Sequence, residues 1–122
     1  MALLSGLVPV PPEITPESSV FDLKQRLDWG EPALTIVDVR DREAFNYSRI
    51  TGAISIPLEQ LAASAPTSFE SDRDIYVYGA NDDETASAFN LLKEMGFQNV
   101  AKLIGGMEAW QAAGYPLEKV VV

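Results

Sequence analysis

The segment from residue 75 to residue 104 constrains the fold more than any other part of the chain. An apolar run, Ile75 to Tyr78, is followed by a polar loop and by a stretch with apolar residues at helical spacing, Asp82 to Met95. A second apolar run, Val100 to Ile104, comes next. Strand, helix and strand in this order make a βαβ unit, whose strands lie parallel in one sheet with a right-handed crossover. The pattern therefore predicts an α/β domain.

The rest of the chain adds elements of the same kind. Apolar runs predict strands at 34–39 and 53–56, and apolar periodicity predicts helices at 18–28 and 107–113. Shorter helical turns are predicted at 41–47 and 58–63, with a polar loop at 66–72. Thr15-Pro16-Glu17 predicts the entrance of the first helix, because proline suits a first-turn position, and Pro32 prevents its restart. Together they predict one three-layer domain, 14–118, with a central, mainly parallel sheet flanked by helices.

Both ends of the chain are predicted to lie outside this domain, as an apolar, proline-rich tail at 1–13 and a short tail at 119–122. The apolar part of the first tail is short, is interrupted by Gly6 and has no Lys or Arg before it. It therefore predicts neither a signal peptide nor a membrane span, and a cytoplasmic location is expected. A docking or dimerisation arm from Leu3 to Val10 and a loosely attached terminus both fit this tail.

Composition excludes several kinds of chemistry. The 122 residues contain no Cys and no His, which removes disulfides, thiolate nucleophiles, the commonest general base and the usual zinc ligands. The net charge of −9 disfavours nucleic acid and anionic membranes as partners. No cofactor is predicted, and a protein partner is favoured. The sequence leaves the oligomeric state, the pathway and the identity of any partner open.

The loop after the strand at 75–78 is a candidate functional site, because a strand, a tight loop and a helix N-terminus often hold an anionic group. Here, however, Asp82, Asp83 and Glu84 open the helix. They fit plain helix capping, since Asn81 and Glu84 have N-cap to N3 spacing and acidic residues suit the first turn. They also fit a negative surface that binds a basic partner segment. A divalent cation site is a weaker interpretation, because the ligand spacing of a calcium loop is missing, and no metal site is predicted.

The chain resembles the rhodanese family in stretches that occur in the family's order. The matching stretches are Ile36-Val37-Asp38-Val39-Arg40 with Glu43 and Phe45, then Ile50, Gly52-Ala53 and Ile56-Pro57, then the strand, loop and helix at 75–95 with Gly96-Phe97, and last Gly105-Gly106 with Ala109-Trp110. Each is weak alone, but their joint order and spacing is specific. The resemblance implies a rhodanese-like fold, and it implies that Asp38 and Arg40 support the neighbouring loops as a hydrogen-bonded pair.

The resemblance also implies what this chain has lost. In the family, the residue after the strand at 75–78 is a cysteine that carries a persulfide, and here it is Gly79. The family's two loop arginines correspond to Ala80 and Glu84. The degenerate active-site loop consists of Gly79, Ala80, Asn81, Asp82, Asp83, Glu84 and Thr85.

The favoured hypothesis is therefore a catalytically inactive rhodanese-like domain that acts as a protein-binding or regulatory module, with Asp82, Asp83 and Glu84 as its binding residues. One alternative is transfer of sulfur from thiosulfate or a persulfide, with the cysteine supplied by a partner or by an unfamiliar route. A second is a structural module of a larger assembly. Enzyme activity is left open and is not the favoured interpretation, because sulfur transfer on this fold needs a thiolate.

Overall fold

The computed structural model describes residues 13–30 and 33–119. The N-terminal arm, Pro32 and residues 120–122 of the C-terminal tail lie outside these ranges. The strands are β1 (Glu17–Ser18), β2 (Leu34–Asp38), β3 (Ser48–Ile50), β4 (Ile54–Ser55), β5 (Asp74–Tyr78), β6 (Asn99–Leu103) and β7 (Leu117–Lys119). The helices are α1 (Val20–Trp29), α2 (Arg42–Tyr47), α3 (Leu58–Ser68), α4 (Asp82–Glu94) and α5 (Gly106–Ala112).

The central sheet has the strand order β1-β6-β5-β2-β4, and its described strand pairs are all parallel. The predicted βαβ unit is present, with β5 pairing in register with β6 from Asp74 opposite Asn99 onwards. A second sheet of two strands, β3 and β7, is antiparallel. The chain thus has the predicted α/β fold, with a mainly parallel sheet between helices.

Apolar side chains cover both faces of the central sheet, which explains why β5 reads as an unbroken apolar run. Successive residues of a strand point to opposite faces, and in β5 Ile75 and Val77 join one buried cluster while Tyr76 and Tyr78 join the other. The first cluster lies under α3 and α4, and the second lies under α1 and α5. The two layers of helices therefore follow from the composition of the strands.

Three helices begin at side chains that cap them. Ser19, Asp41 and Asn81 each accept a hydrogen bond from the backbone N–H three residues later, at 3.0, 2.7 and 2.8 Å. Such caps satisfy one of the amides that a helix start leaves without a partner. The start of α4 is consequently fixed by a local signal that the sequence already carries.

The predicted helix entrance at Thr15-Pro16-Glu17 is wrong. Glu17 and Ser18 form β1, which pairs with Lys102 and Leu103 at the edge of the sheet, and α1 begins only after Ser19. The backbone carbonyl of Pro16 accepts a hydrogen bond from the Lys102 N–H at 2.9 Å. Long-range strand pairing thus outweighs the local preference of proline for a helix start.

Helix α3 extends beyond its predicted end, through Pro66 to Ser68. The polar composition of residues 66–72 predicts a loop, and Pro66 removes one helical hydrogen bond. Leu61 and Ala65 are fully buried against the first cluster, so packing continues the helix through its last turn. Strands β3 and β7 were not predicted either, since each has only three residues.

Candidate functional site

A cleft of about 690 Å³ opens at the carboxyl edge of the central sheet. Parallel strands bring their carboxyl ends to the same edge, and open α/β folds commonly bind ligands there. The loops after β2, β5 and β6 meet at this edge. The cleft is lined by Arg40, Ala44, Tyr47, Ser48, Gly79, Ala80, Asn81, Asp82, Thr85, Gly105, Gly106, Met107, Glu108, Gln111 and Lys119.

The 79–85 loop forms one wall of the cleft and is held by its own hydrogen bonds. The Gly79 N–H donates to Thr85 Oγ1 at 2.8 Å, and Thr85 Oγ1 donates to the Asn81 carbonyl at 3.0 Å. Thr85 is buried, so this hydroxyl replaces water as the partner of the Gly79 amide. The loop is therefore anchored to the first turn of α4.

Glu84 also folds back onto the loop. Its Oε1 accepts a hydrogen bond from the Ala80 N–H at 2.8 Å. In a capping box this side chain would bond to the N-cap amide, which here belongs to Asn81. The bond from the Glu84 N–H to the Asn81 side chain is therefore present, as in a capping box. The Glu84 side chain, however, bonds to the Ala80 amide, one residue before the N-cap amide.

The other acidic residues of the loop lie in different surroundings. Asp82 Oδ1 accepts a hydrogen bond from the Gly105 N–H at 3.2 Å, which joins the loop to the turn before α5. Asp83 is exposed and is not part of the cleft lining. Asp82 and Glu84 are therefore close in the chain but bond to different parts of the structure.

The turn at Gly105 and Gly106 forms a second wall. Gly105 has a positive φ of 78°, and a Cβ at this position would lie 2.5 Å from the Ala109 Cβ. Glycine is thus required here both by the backbone conformation and by space. Gly106 lies close to Gly79, since a Cβ on Gly106 would be 3.6 Å from the Gly79 carbonyl oxygen.

Arg40 lines the cleft, and Asp38 lies buried behind it. The Asp38 carboxylate is fully buried and accepts hydrogen bonds from Arg40 Nη2 at 2.6 Å and from Tyr78 Oη at 2.7 Å. Arg40 Nη2 also donates to the Ser48 carbonyl at 2.6 Å. Because Asp38 ends β2 and Tyr78 ends β5, this network connects two strand ends to β3.

The network shifts the pKa values of its members. Burial, followed by the nearby Asp38 carboxylate, raises the pKa of Tyr78 well above its usual value. Burial acts to lower the pKa of Arg40, but the hydrogen bonds and charge of Asp38 outweigh it and leave that pKa raised. Arg40 therefore stays protonated, and its charge is balanced by Asp38 before any ligand reaches the cleft.

The third wall of the cleft contains residues that the sequence did not single out. Tyr47 is 78% exposed, and Glu108 and Lys119 also line the cleft. Glu108 follows the Gly105-Gly106 turn, so the position of that turn at the sheet edge could have indicated it. Lys119 reaches the cleft through β7, for which the sequence gives no comparable signal.

Neither a metal site nor a membrane span was found among residues 13–30 and 33–119. No cluster of three or more His, Cys, Asp or Glu side chains there has an arrangement suited to a metal ion. No helix in the same ranges is long and apolar enough to cross a bilayer.

Comparison with known proteins decides the family. A profile of the rhodanese-like domain matches residues 19–113. The chain belongs to the rhodanese-like domain family. The crystal structure of the Alr3790 protein from Anabaena sp. is 51% identical in sequence, has a TM-score of 0.83, and is matched over 86% of this chain and 94% of that one. The rhodanese-like resemblance that the sequence motifs suggest is thereby confirmed, in a member without cysteine.

Curated relatives show this rhodanese-like domain in different settings. Thiosulfate sulfurtransferase GlpE of Actinobacillus succinogenes is 37% identical over 106 residues, which are 87% of this chain and 89% of GlpE. The HTH-type transcriptional regulator Rv0324 of Mycobacterium tuberculosis is 34% identical over 86% of this chain, which spans 46% of the length of Rv0324. Relatives of this rhodanese-like chain thus include a protein of similar length and a longer one.

Proposed function

We propose that this chain is a catalytically inactive rhodanese-like domain that works by binding another protein. The observation that carries the proposal is Gly79, which lies in the cleft and has no side chain. Covalent sulfur transfer needs a thiolate that attacks the donor and then holds the sulfur, and the chain contains no cysteine. The nearby Thr85 hydroxyl is engaged with Gly79 and Asn81.

The charges around the cleft also oppose an anionic substrate such as thiosulfate. Asp82 and Glu108 line it, and Glu84 lies against the Gly79 side of the loop. Two like charges about 4 Å apart repel by roughly 4 kcal/mol at a surface-like dielectric before screening. The cations of Arg40 and Lys119 line the cleft as well. The charge of Arg40 is balanced by the buried Asp38, which leaves Lys119 against the carboxylates of Asp82, Glu84 and Glu108.

The same features favour a basic partner segment. A Lys or Arg side chain entering the cleft would meet the carboxylates of Asp82 and Glu108 and the exposed ring of Tyr47. Aromatic faces attract cations, and exposed aromatic residues at a cleft often act as binding anchors. We therefore propose Asp82, Glu108 and Tyr47 as binding residues within the cleft and Asp83 as a binding residue on the exposed surface next to Asp82, with Glu84 adding charge.

Regulatory use of the domain is consistent with the relatives. Rv0324 carries the name of a transcriptional regulator and is about twice as long as the matched region, since the chain spans 46% of it. GlpE carries the name of a sulfurtransferase. Fold alone does not decide between such uses, so the proposal depends on the cleft residues of this chain.

The first experiment is capture of partners from lysate of the source cells. The bait is wild-type protein, an Asp82→Asn, Asp83→Asn, Glu108→Gln variant, or a control with the same charge change, Glu59→Gln, Glu70→Gln, Glu94→Gln, whose residues do not line the cleft. Glu84 is left in place because it holds the Ala80 amide. We expect a partner that binds wild type and control and is lost with the cleft variant. Identical partner lists for all three baits would reject the cleft as the binding surface.

The second experiment is a sulfurtransferase assay with thiosulfate and cyanide. We expect purified protein to form no more thiocyanate than a heat-killed control. Turnover by the purified chain would reject the inactive assignment. Turnover that appears only when the captured partner is added would favour the alternative in which that partner supplies the cysteine.

A further inference from the structure

We propose that the Glu84 carboxylate is a built-in ligand that closes the 79–85 loop, and that residue 79 is glycine in order to leave room for it. The inference does not depend on the presence of a partner, because it concerns contacts within the chain. Gly79 and Glu84 thus form one coupled pair. Gly79 is more than the position of a lost nucleophile, and Glu84 is more than a helix-capping residue.

A side chain at position 79 would collide with Glu84. A Cβ built on Gly79 would lie 2.8 Å from Glu84 Cγ, 2.8 Å from Glu84 Oε1 and 2.9 Å from Glu84 Cβ. Carbon and oxygen atoms that are not bonded do not approach this closely, so any side chain at position 79 requires Glu84 to move. The Glu84 Cβ belongs to the start of the side chain, and a rotation of the carboxylate alone cannot remove that contact.

The backbone conformation at Gly79 does not itself require glycine. Among the glycines of residues 13–30 and 33–119, Gly30, Gly52, Gly96, Gly105, Gly106 and Gly114 have positive φ angles, whereas Gly79 does not. The conformation at position 79 is therefore one that other residues adopt without strain. What favours glycine there is contact with Glu84, because those three Glu84 atoms are the nearest neighbours of a Cβ at that position.

In this position against Gly79, the Glu84 side chain makes a hydrogen bond to the loop backbone. Its Oε1 accepts from the Ala80 N–H at 2.8 Å, and the neighbouring Gly79 N–H is taken by Thr85. Both amides are thus satisfied from within the chain. An external group can reach the Ala80 amide only by displacing a tethered carboxylate, whose effective concentration is high. Glu84 in this way keeps the loop closed.

A double-mutant cycle tests the coupling. Urea unfolding is measured for wild type, Gly79→Ala, Glu84→Ala and the double variant. We expect Gly79→Ala to lower the unfolding midpoint in wild type at least about twice as much as in the Glu84→Ala background, because Glu84→Ala removes the Cγ and Oε1 contacts at 2.8 Å and leaves only the Cβ contact. Gly52→Ala is the matched control, since its cost arises from a positive φ of 87° with no other atom within 4 Å of the new Cβ, and it should be equal in both backgrounds. Equal costs of Gly79→Ala in both backgrounds would overturn the proposal.

Amide hydrogen exchange tests the ligand role directly. We expect Glu84→Ala to speed exchange of the Ala80 N–H by roughly tenfold or more, while exchange of the Gly79 N–H, held by Thr85, changes little. Glu84→Gln should retain most of the protection, because its amide oxygen can accept the same bond. Unchanged exchange at Ala80, or an equal rise at both amides, would show that Glu84 is not its ligand. A failed partner capture would leave this result unaffected.

Discussion

The hydroxyl of Tyr78 donates a hydrogen bond of 2.7 Å to the buried carboxylate of Asp38. The same oxygen accepts a hydrogen bond from the Ile50 N–H at 3.2 Å. Tyr78 ends β5, Asp38 ends β2 and Ile50 ends β3, so one phenol joins three strand ends behind the cleft.

Alkaline pH should destabilise the protein partly through Tyr78. Its folded-state pKa is raised from 10.0, so above about pH 10 the unfolded chain loses this proton while the folded chain keeps it. The unfolded state then binds fewer protons, and the free energy of unfolding falls by up to about 1.4 kcal/mol per pH unit. Tyr76, whose pKa burial also raises, adds to the fall.

Tyr78→Phe isolates the contribution of this residue. We expect the variant to cost about 1–3 kcal/mol near neutral pH, because the Ile50 amide and Asp38 lose a partner. Its stability should then fall less steeply than that of wild type between pH 10 and 11.5, measured by urea unfolding. Tyr47→Phe, at an exposed position, serves as the control. Parallel pH profiles for Tyr78→Phe and wild type would contradict the assignment.

Asp38→Ala should be among the most damaging single changes. It leaves the Arg40 guanidinium without its buried counter-charge, and loss of one partner of a buried ion pair costs about 3–5 kcal/mol. The comparison is Asp28→Ala, which removes an exposed pair with Lys24 and should cost less than about 0.5 kcal/mol. Denaturant unfolding of both variants measures the difference, and similar costs would show that burial of Asp38 adds nothing.

Thr85→Val should loosen the 79–85 loop. Valine keeps the shape of threonine but removes the hydroxyl that accepts the Gly79 N–H, and an unsatisfied buried amide costs about 1–3 kcal/mol. Thr67→Val, at an exposed position in α3, is the matched control and should change stability by less than about 0.5 kcal/mol. A neutral Thr85→Val change would mean that water readily replaces the hydroxyl.

Restoring the family's loop chemistry should require more than a cysteine. In Gly79→Cys alone the new side chain meets Glu84, so we expect little activity with thiosulfate and cyanide. The combination Gly79→Cys, Ala80→Arg, Glu84→Arg supplies a thiolate, removes the carboxylate that holds the residue-80 amide and reverses the local charge. We expect the triple variant to form thiocyanate at a rate at least about tenfold above the background of a heat-killed control, which wild type does not exceed.

The matched control for this gain is Gly79→Ser with the same two arginines, which keeps the charges but lacks a thiol. Activity in the serine protein equal to that of the cysteine protein would contradict a thiolate mechanism. An inert cysteine variant that folds normally would show that other parts of the cleft have also diverged from sulfur transfer.

Local patterns along the chain were sufficient to predict several parts of the protein. The apolar runs of β2 and β5 reflect burial on both faces of a parallel sheet, and Asn81 marks the start of α4 because a cap acts over three residues. The absence of cysteine likewise needs no structure. These features are encoded within a few neighbouring residues, so the fold class and the missing nucleophile could be predicted.

Other features depend on contacts between distant parts of the chain. Strand β1 exists because Lys102 and Leu103 offer it hydrogen bonds from a distant part of the chain, and β7 likewise brings Lys119 to the cleft through its pairing with β3. The Glu84 rotamer that meets Gly79 and Ala80 depends on the path of the folded loop. Such contacts depend on long-range pairing and on packing around each side chain, which periodicity along the sequence does not report.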